Sequence, residues 1–374
     1  MTTFPRTDRS LISRWWWTVD HWAIVAIIGI CAIGLVLTMA ASPAVAERLQ
    51  YNPFYFAHRQ FIYIPLAIGV MLVTSFLSPK GVQRMALVVL VLSFILTAAT
   101  PFLGEQVKGA TRWLNVFGLS LQPSEFLKPS FAVVSAWLIA SSRQQEQLRG
   151  YAMSIALLIG VATLLLVQPD VGTTVLVLGA WAIQIFLAGC PLVVIALLTF
   201  GGLGAAVAAY FTFSHVHMRV DQFLDPAVGE GYQVKRALEA FHAGGLFGRG
   251  PGEGRVKEVL PDAHADFIFA VAGEEFGLIV CLIIVLLFAF VVLRSFIRAF
   301  KDEDVFVILA GGALIALFGM QALMNMASAM HLIPPKGTTL PFISYGGSAS
   351  LALAWAMGLL LALTRERPHA GGIG

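Results

Sequence analysis

Ten apolar stretches, each close to the length of a membrane-spanning helix, constrain this fold more than any other feature of the sequence. They lie at about 22–41, 60–77, 85–103, 124–141, 151–168, 171–189, 191–213, 266–293, 305–330 and 343–363. Crossing the hydrocarbon of a bilayer takes about 20 apolar residues as a helix. The chain is 58% hydrophobic and 12% charged, with a mean hydropathy of +0.82. We therefore predict an all-α polytopic membrane protein with about ten transmembrane helices.

The distribution of Lys and Arg predicts the orientation, because short cytoplasmic loops carry an excess of both. With a cytoplasmic N-terminus, the inner segments hold Arg6, Arg9, Arg14, Lys80, Arg84, Arg143, Arg149, Arg294, Arg298, Lys301, Arg365 and Arg367. The short outer loops hold only Arg48, Arg59, Lys108, Arg112 and Lys336. Both termini are therefore predicted to be cytoplasmic. Residues 44–46 resemble a signal-peptidase site, but the apolar run before them exceeds the usual signal core, so we interpret it as an uncleaved anchor.

The one long extracytoplasmic loop, at about 214–265, is predicted to contain an amphipathic helix. Its apolar positions recur at helical spacing at Val234, Ala237, Leu238 and Phe241. Such a helix suits the outer membrane interface, and packing on the protein's own surface fits the pattern equally well. The Gly-rich run at 244–254 follows. Because so many glycines permit positive φ, we predict a mobile loop there.

Asp266 is the strongest candidate functional residue, because it stands where this polar loop becomes a long apolar helix. A carboxylate at the mouth of a membrane helix is costly and by default functional. On the same helix, Gly273 and Gly277 form a small-residue pattern that permits close approach, and a neighbouring helix is favoured there over a lipid tail. Glu274 and Glu275 lie deeper and are predicted to be structural.

Further polar residues fall on the same predicted outer side of the membrane. Glu125 and Lys128 open the fourth apolar stretch three residues apart, so they are neighbours on one helix face and are predicted to pair. The other polar or charged candidates are Arg59, Lys108, Arg112, Gln122, Asp170, His264, Lys336 and Ser344. Basic residues that converge on one face suit a pyrophosphate head group.

Other classes of site find little support in the sequence. The three cysteines, Cys31, Cys190 and Cys281, all lie in apolar segments, so no disulfide framework is predicted. His215-x-His217 and His264-x-Asp266 lack a third ligand at zinc-site spacing, so no metal site is predicted. No resident cofactor is expected, although a divalent cation that bridges a pyrophosphate and Asp266 is compatible with the sequence. The net charge of +3 is too small and scattered for nucleic acid.

The motifs together resemble those of the SEDS family of bacterial cell-wall proteins. They occur in order over nearly the whole chain, at 108–113, 122–125, 168–174, 264–277 and 340–348. Residues 15–17, 168–174, 273–275 and 335–341 resemble the cell-division branch of the family more than the elongation branch. One departure is Ala265, where many members have Thr.

The resemblance implies one membrane domain, 1–374, with peptidoglycan glycosyltransferase activity. The implied substrate is lipid II, a disaccharide-pentapeptide on undecaprenyl pyrophosphate, and the implied role is septal wall synthesis during bacterial division. The family's outer-loop aspartate corresponds to Asp266, and its fourth-helix Glu and Lys correspond to Glu125 and Lys128. The implied partners are a class B penicillin-binding protein transpeptidase and other division proteins, at the septum in the inner membrane.

The chemistry of chain growth agrees with this assignment of Asp266. A sugar hydroxyl must attack an anomeric carbon while pyrophosphate leaves, and a partly shielded carboxylate suits the role of general base. Direct displacement of this kind inverts the anomeric centre. The expected substrate-binding residues are Arg59, Lys108, Arg112, Lys336 and Ser344. The residues expected to shape the cavity are Gln122, Glu125, Lys128, Asp170 and His264.

Three alternatives to a septal polymerase remain open on the sequence alone. A lipid II flippase would also be polytopic with intramembrane charges, but it should carry polar residues on both sides of the bilayer midplane. An elongation-type polymerase would share the same chemistry. A non-catalytic scaffold would leave the clustered outer polar residues unexplained.

Overall fold

Each of the ten apolar stretches contains a helix in the computed structural model, which describes residues 10–107, 110–116, 119–144, 148–212, 217, 221, 231–334 and 337–366. In chain order the helices are α1 (Leu11–Thr18), α2 (His21–Arg48), α3 (Tyr55–Thr74), α4 (Pro79–Leu103), α5 (Pro123–Gln144), α6 (Arg149–Val167), α7 (Val171–Leu187), α8 (Leu192–Thr212), α9 (Gly231–Gly244), α10 (Ile268–Ala299), α11 (Val305–Ala329) and α12 (Gly347–Leu363). Six of them, α2, α3, α4, α6, α10 and α11, are long and apolar enough to cross a membrane. The prediction of a mostly helical, multi-pass membrane protein is confirmed.

A small sheet between α4 and α5 corrects the prediction of an all-α fold. Strands β1 (Glu105–Val107), β2 (Ala110–Val116) and β3 (Leu119–Leu121) pair antiparallel in sequence order. The segment alternates polar residues with β-branched and aromatic ones such as Thr111 and Trp113, which favour strands. Each strand is too short to stand out beside runs of about 20 apolar residues. The sheet packs on the ends of α4, α5 and α12.

Helices α5 and α11 form the centre of the bundle. Helix α5 packs against α4, α6, α7, α11 and α12, so its side chains are buried on almost every face. In the most apolar 18-residue segment of α11, 78% of the residues are buried, compared with 28% in α4 and 22% in α6. The outer helices therefore present apolar faces to the lipid, whereas polar side chains on α5 and α11 are surrounded by protein.

The candidate residues and the chain termini lie at opposite ends of the helix bundle. Asp20 caps the N-terminus of α2 and pairs with Arg294 (2.7 Å) and Arg298 (3.0 Å) near the C-terminus of α10. At this same end the Glu366 amide donates to the Thr18 carbonyl. The described residues nearest the two termini thus share one end of the bundle. The opposite end, which holds Asp266 at the start of α10, is called the site end below.

A re-entrant segment, residues 337–346, leaves the site end and dips into the bundle before α12 begins. At its lowest point the Phe342 ring lies 6.3 Å from that of Phe318, near the middle of α11. The Phe342 carbonyl also lies against Gly34, near the middle of α2, and Phe342 has a positive φ of 61° where the chain turns back. Irregular backbone is tolerated at this depth because protein surrounds it.

The amphipathic helix α9 packs on α10, which is the second of its two predicted placements. Ala237 and Ala240 are fully buried, and the Phe241 ring lies 5.7 Å from that of Phe269. A Cβ built on Gly273 would lie only 2.3 Å from the Phe241 ring. At Gly273 the small-residue pattern of α10 therefore accommodates a neighbouring helix, as predicted, whereas Gly277 faces the loop that follows α9.

The Gly-rich run after α9 forms backbone hydrogen bonds with α10, so the prediction of a mobile loop is wrong for its first residues. Gly277 breaks the helical path with φ 79° and ψ −176°. The exposed peptide groups are satisfied by the run: the Arg249 amide donates to the Glu274 carbonyl (3.0 Å), and the Leu278 amide donates to the Gly245 carbonyl (3.0 Å). Hydrogen bonds from the Gly-rich run therefore stabilise the break in α10.

The two deep glutamates fasten the next part of the loop and are structural, as predicted. The Glu274 carboxylate accepts from the backbone amides of Arg255, Val256 and Lys257 at 2.7, 2.8 and 3.0 Å. Glu275 forms a buried ion pair with Lys257. Bonding and pairing offset the cost of burying these carboxylates.

Close packing at Gly34 gives a test of the re-entrant segment. A Cβ there would lie 2.4 Å from the Phe342 carbonyl oxygen, whereas one on Gly29 of the same helix has nothing within 4 Å. We expect Gly34→Ala to destabilise the protein by about 1–3 kcal/mol, the usual result of overpacking. Gly29→Ala should be neutral or stabilising by up to about 1 kcal/mol. Thermal unfolding in detergent compares the two variants, and equal melting temperatures would contradict this packing.

Candidate active site

Asp266 lies in a turn immediately before α10 and is half-buried. Its backbone carbonyl accepts a hydrogen bond of 3.0 Å from the Asn325 side chain. A Cβ built on Gly337 would lie 3.8 Å from Asp266 Oδ2. The carboxylate therefore stands beside the start of the re-entrant segment, at the mouth of a membrane helix as the sequence predicted.

The far limb of the re-entrant segment holds the turn that carries Asp266. Ser344 Oγ donates to the Ala265 carbonyl (2.6 Å) and accepts from the Leu340 amide (2.8 Å). The Tyr345 amide donates to the His264 carbonyl (2.9 Å). The single hydroxyl proton of Ser344 is used within the protein and the residue is buried. Ser344 therefore supports the backbone beside Asp266, and its contact with substrate stays a prediction.

Arg59 and a cluster of aromatic rings border the same turn. The Arg59 guanidinium lies 4.7 Å from the centre of the Tyr55 ring and hydrogen-bonds to the Tyr345 side chain. The Phe56 ring lies 4.3 Å from that of His264 and 5.0 Å from that of Tyr345. The start of α3 is thus brought against the Asp266 turn, with a half-buried cation beside it.

Glu125 and Lys128 pair as predicted, at the start of α5. Lys128 Nζ lies 2.9 Å from Glu125 Oε2, and the two residues are only 4% and 8% exposed. Lys128 Nζ also donates to Gln321 Oε1 at 2.9 Å. Gln122 lies one turn earlier, and its side-chain amide donates to Ser124 Oγ. A buried, compensated charge pair therefore sits at the site end between α5 and α11.

Arg112 is committed to the junction between α6 and α7. Its guanidinium donates to the carbonyls of Gln168 (3.1 Å) and Pro169 (2.5 Å) and lies 3.6 Å from Asp170 Oδ1. Asp170 itself caps α7 by accepting from the Thr173 amide. The fork of Arg112 thus joins the β-sheet to the helix junction, and its role in phosphate binding stays a prediction.

Two of the predicted cations, Lys108 and Lys336, lie outside the described residues. In the part of the chain that the structure describes, no group of three or more His, Cys, Asp and Glu side chains is placed to hold a metal ion. The candidate site is therefore built on one carboxylate, Asp266, with Arg59 beside its turn and the Glu125–Lys128 pair deeper in the bundle.

Two buried amides, Gln321 and Asn325, were not among the sequence-predicted site residues. They lie one turn apart on α11 and are 2% and 1% exposed. Their side chains bond to the re-entrant segment at Thr339 and Thr338. The available signal was two amides at helical spacing within an apolar stretch, but their partners lie in a segment whose path the sequence did not reveal.

The sequence agrees with that of a known family over almost its full length. The profile of the FtsW/RodA/SpoVE family, described as cell cycle proteins, matches residues 21–369. A protein of Caulobacter vibrioides (strain NA1000 / CB15N) named "Probable peptidoglycan glycosyltransferase FtsW" is 44% identical over 370 residues, which are 99% of this chain and 95% of that protein.

Solved structures share the fold. A chain from "Structural coordination of polymerization and crosslinking by a peptidoglycan synthase complex" superposes with a TM-score of 0.80 at 25% identity, covering 92% of this chain and 97% of that one. The crystal structure of the Thermus thermophilus rod shape determining protein RodA gives a TM-score of 0.68 at 24% identity, covering 93% and 97%. The similarity to these structures therefore covers nearly the whole helix bundle.

The buried pair on α5 should be strongly coupled. Changing either Glu125 or Lys128 to Ala leaves an uncompensated buried charge, which costs about 3–5 kcal/mol. The double variant should lose less unfolding free energy than the two single variants lose in sum. The matched control is Arg236–Glu239 on α9, an i,i+3 pair with side chains 36% and 39% exposed, whose coupling should be below about 1 kcal/mol. Double-mutant cycles on unfolding free energies compare the pairs, and additivity at Glu125 and Lys128 would contradict the contact.

Proposed function

Because the chain belongs to the FtsW/RodA/SpoVE family of cell cycle proteins, we propose that it is a peptidoglycan glycosyltransferase that polymerises lipid II during septal wall synthesis. The observation that carries the proposal is the placement of Asp266. It is a half-buried carboxylate at the site end of a membrane bundle, in a turn held by part-buried hydrogen bonds. A lipid-borne sugar and water both reach such a position.

Asp266 acts as the general base in this reaction. The acceptor sugar hydroxyl forms a new C–O bond to the anomeric carbon of the donor. The bond from that carbon to the pyrophosphate oxygen breaks, and the hydroxyl proton passes to the Asp266 carboxylate. Direct displacement inverts the anomeric centre, so one base suffices.

The leaving pyrophosphate is stabilised by nearby cations. Arg59 is the described residue best placed for this, since it borders the Asp266 turn and is half-buried. Lys108 and Lys336 remain proposed contacts. Arg112 acts more indirectly, because its donors already serve the α6–α7 junction. Glu125, Lys128, Gln122, Asp170 and His264 shape the cavity. If the reaction uses a divalent cation, Asp266 would hold it, and the ion would neutralise charge on the leaving pyrophosphate.

The position of the candidate site residues at one end of the bundle favours a polymerase over a lipid II flippase. A flippase needs polar contacts on both sides of the bilayer midplane. Here Arg59, Glu125, Asp170 and Asp266 all lie near the site end of their helices. A septal role is supported over an elongation role by 44% identity, over 99% of this chain, to a protein named FtsW.

The proposed setting is the inner membrane at the division septum. All ten apolar helices cross the bilayer, with both termini in the cytoplasm and the loop at about 214–265 outside. The proposed partners are a class B penicillin-binding protein transpeptidase and other division proteins. The likeness to a chain of a peptidoglycan synthase complex supports such a partner.

Removing the Asp266 carboxylate should abolish polymerisation. Asp266→Asn keeps the side-chain volume but removes the base, and general-base catalysis is typically worth about 10²–10⁴-fold. Asp262→Asn is the matched control, because Asp262 lies in the same turn with φ 53°, which Asn tolerates. Turnover of purified lipid II by the protein with its transpeptidase partner measures both. Normal turnover by Asp266→Asn would refute the assignment.

Neutralising Arg59 should lower kcat/KM for lipid II. Loss of a charge-assisted contact is worth about 1.5–3 kcal/mol, so we expect Arg59→Gln to lower kcat/KM about 10-fold to 100-fold. Arg59→Lys should recover part of this loss. Arg48 at the end of α2 is the control, because its guanidinium donates to the carbonyls of Ala44 and Leu260. Arg48→Gln should change stability rather than kcat/KM. An unchanged kcat/KM in Arg59→Gln would contradict the proposed role of Arg59.

A further inference from the structure

Asn325 bonds to two loops at once, and these are the two loops that border the Asp266 carboxylate. Its side-chain Nδ2 donates to the Asp266 carbonyl (3.0 Å) and to the Thr338 carbonyl (2.6 Å). Carbonyl oxygens only accept hydrogen bonds, so the NH₂ group must face them and both of its protons are used. The orientation of this amide is therefore fixed.

Gln321 extends the contact one turn deeper along α11. Residues four apart lie on the same helix face, and Gln321 Nε2 donates to the Thr339 carbonyl (3.1 Å) and lies 3.2 Å from Thr339 Oγ1. Its Oε1 accepts from Lys128 Nζ at 2.9 Å. A continuous chain of polar contacts thus runs from the Asp266 turn through the re-entrant segment to the charge pair on α5.

We propose that Asn325 is a positioning residue for the Asp266 carboxylate, with Gln321 as its second anchor on the re-entrant segment. The proposal rests on the proposed function, in which Asp266 is the base. Gly337, beside the Asp266 carboxylate, directly precedes the two residues that these amides hold. Loss of Asn325 therefore removes one hydrogen bond from the backbone of Asp266 and one from the re-entrant segment beside its carboxylate.

A purely architectural amide in this protein has different partners. Gln184 is also fully buried, and its Nε2 donates to the Ala132 carbonyl, so it joins α7 to the middle of α5. Both acceptors of Asn325 instead lie outside helices: one is the backbone carbonyl of the candidate base itself, and the other follows Gly337, which lies beside the carboxylate. Buried amides of both kinds stabilise the fold, but only Asn325 also sets the geometry of a reacting group.

Steady-state polymerisation of lipid II by the full-length protein with its transpeptidase partner tests the proposal. Asn325→Leu keeps the branched shape of the side chain and removes both donors. Because misplacement by about 1 Å can cost about 100-fold in rate, we expect kcat per folded molecule to fall about 10-fold to 100-fold, with KM for lipid II within about twofold. Asn325→Gln restores the donors on a longer stem and should recover part of kcat.

Gln184→Leu is the matched control, since it removes the hydrogen bond of a buried side-chain amide far from Asp266. It should lower the melting temperature about as much as Asn325→Leu while leaving kcat unchanged. Asn325→Ser, which cannot reach both carbonyls, serves if Asn325→Leu does not accumulate, and the same loss of kcat is expected. Failure of both Asn325 variants to fold would overturn the assignment in favour of a folding role.

The reference variant Asp266→Asn separates the two proposals. If Asp266→Asn is inactive while Asn325→Leu retains the kcat of the unchanged protein, only the positioning role is overturned. If Asp266→Asn polymerises lipid II normally, the proposed base itself is wrong, and the positioning role is overturned with it. Loss of kcat in Asn325→Leu, with unchanged KM and partial recovery in Asn325→Gln, supports the proposal.

Discussion

The re-entrant segment is the constraint on which the candidate site depends. Its backbone dips into an apolar bundle, where every peptide group must find a partner within the protein. The descending limb is held by Gln321 and Asn325, and the returning limb bonds to the carbonyls of residues 264 and 265. The hydrogen bonds that make this irregular segment tolerable are therefore the same ones that fix the turn carrying Asp266.

The charge pair on α5 belongs to the same arrangement. Replacing a buried ion pair by apolar residues is often neutral or stabilising, so stability alone is a weak reason for Glu125 and Lys128 to be there. Lys128 has a second partner in Gln321. Lys128 thus donates to the Gln321 side chain, which in turn donates to the Thr339 carbonyl. In this way the pair helps to define the path of the re-entrant segment.

Much of the fold could be predicted from the sequence because membrane helices need long apolar runs. Each of the ten stretches contains a helix, and Glu125 and Lys128 pair because residues three apart share a helix face. The β-sheet was missed because its strands are short. The re-entrant segment was missed because its apolar residues merged with the stretch at 343–363. The partners of Ser344 and Asn325 depend on that path, so local pattern alone did not reveal them.

The break at Gly277 explains why local contacts decide where Asp266 stands. Below the break, α10 is anchored at the opposite end of the bundle by the pairing of Arg294 and Arg298 with Asp20. Above it, the helical path is interrupted, so that anchor does not fix the upper segment. The upper segment is held instead by α9, by the Gly-rich run and by the amides that bind Glu274. The loop between α8 and α10 and the re-entrant segment therefore position the candidate base from two sides, while the ion pairs with Asp20 fix the long lower part of α10.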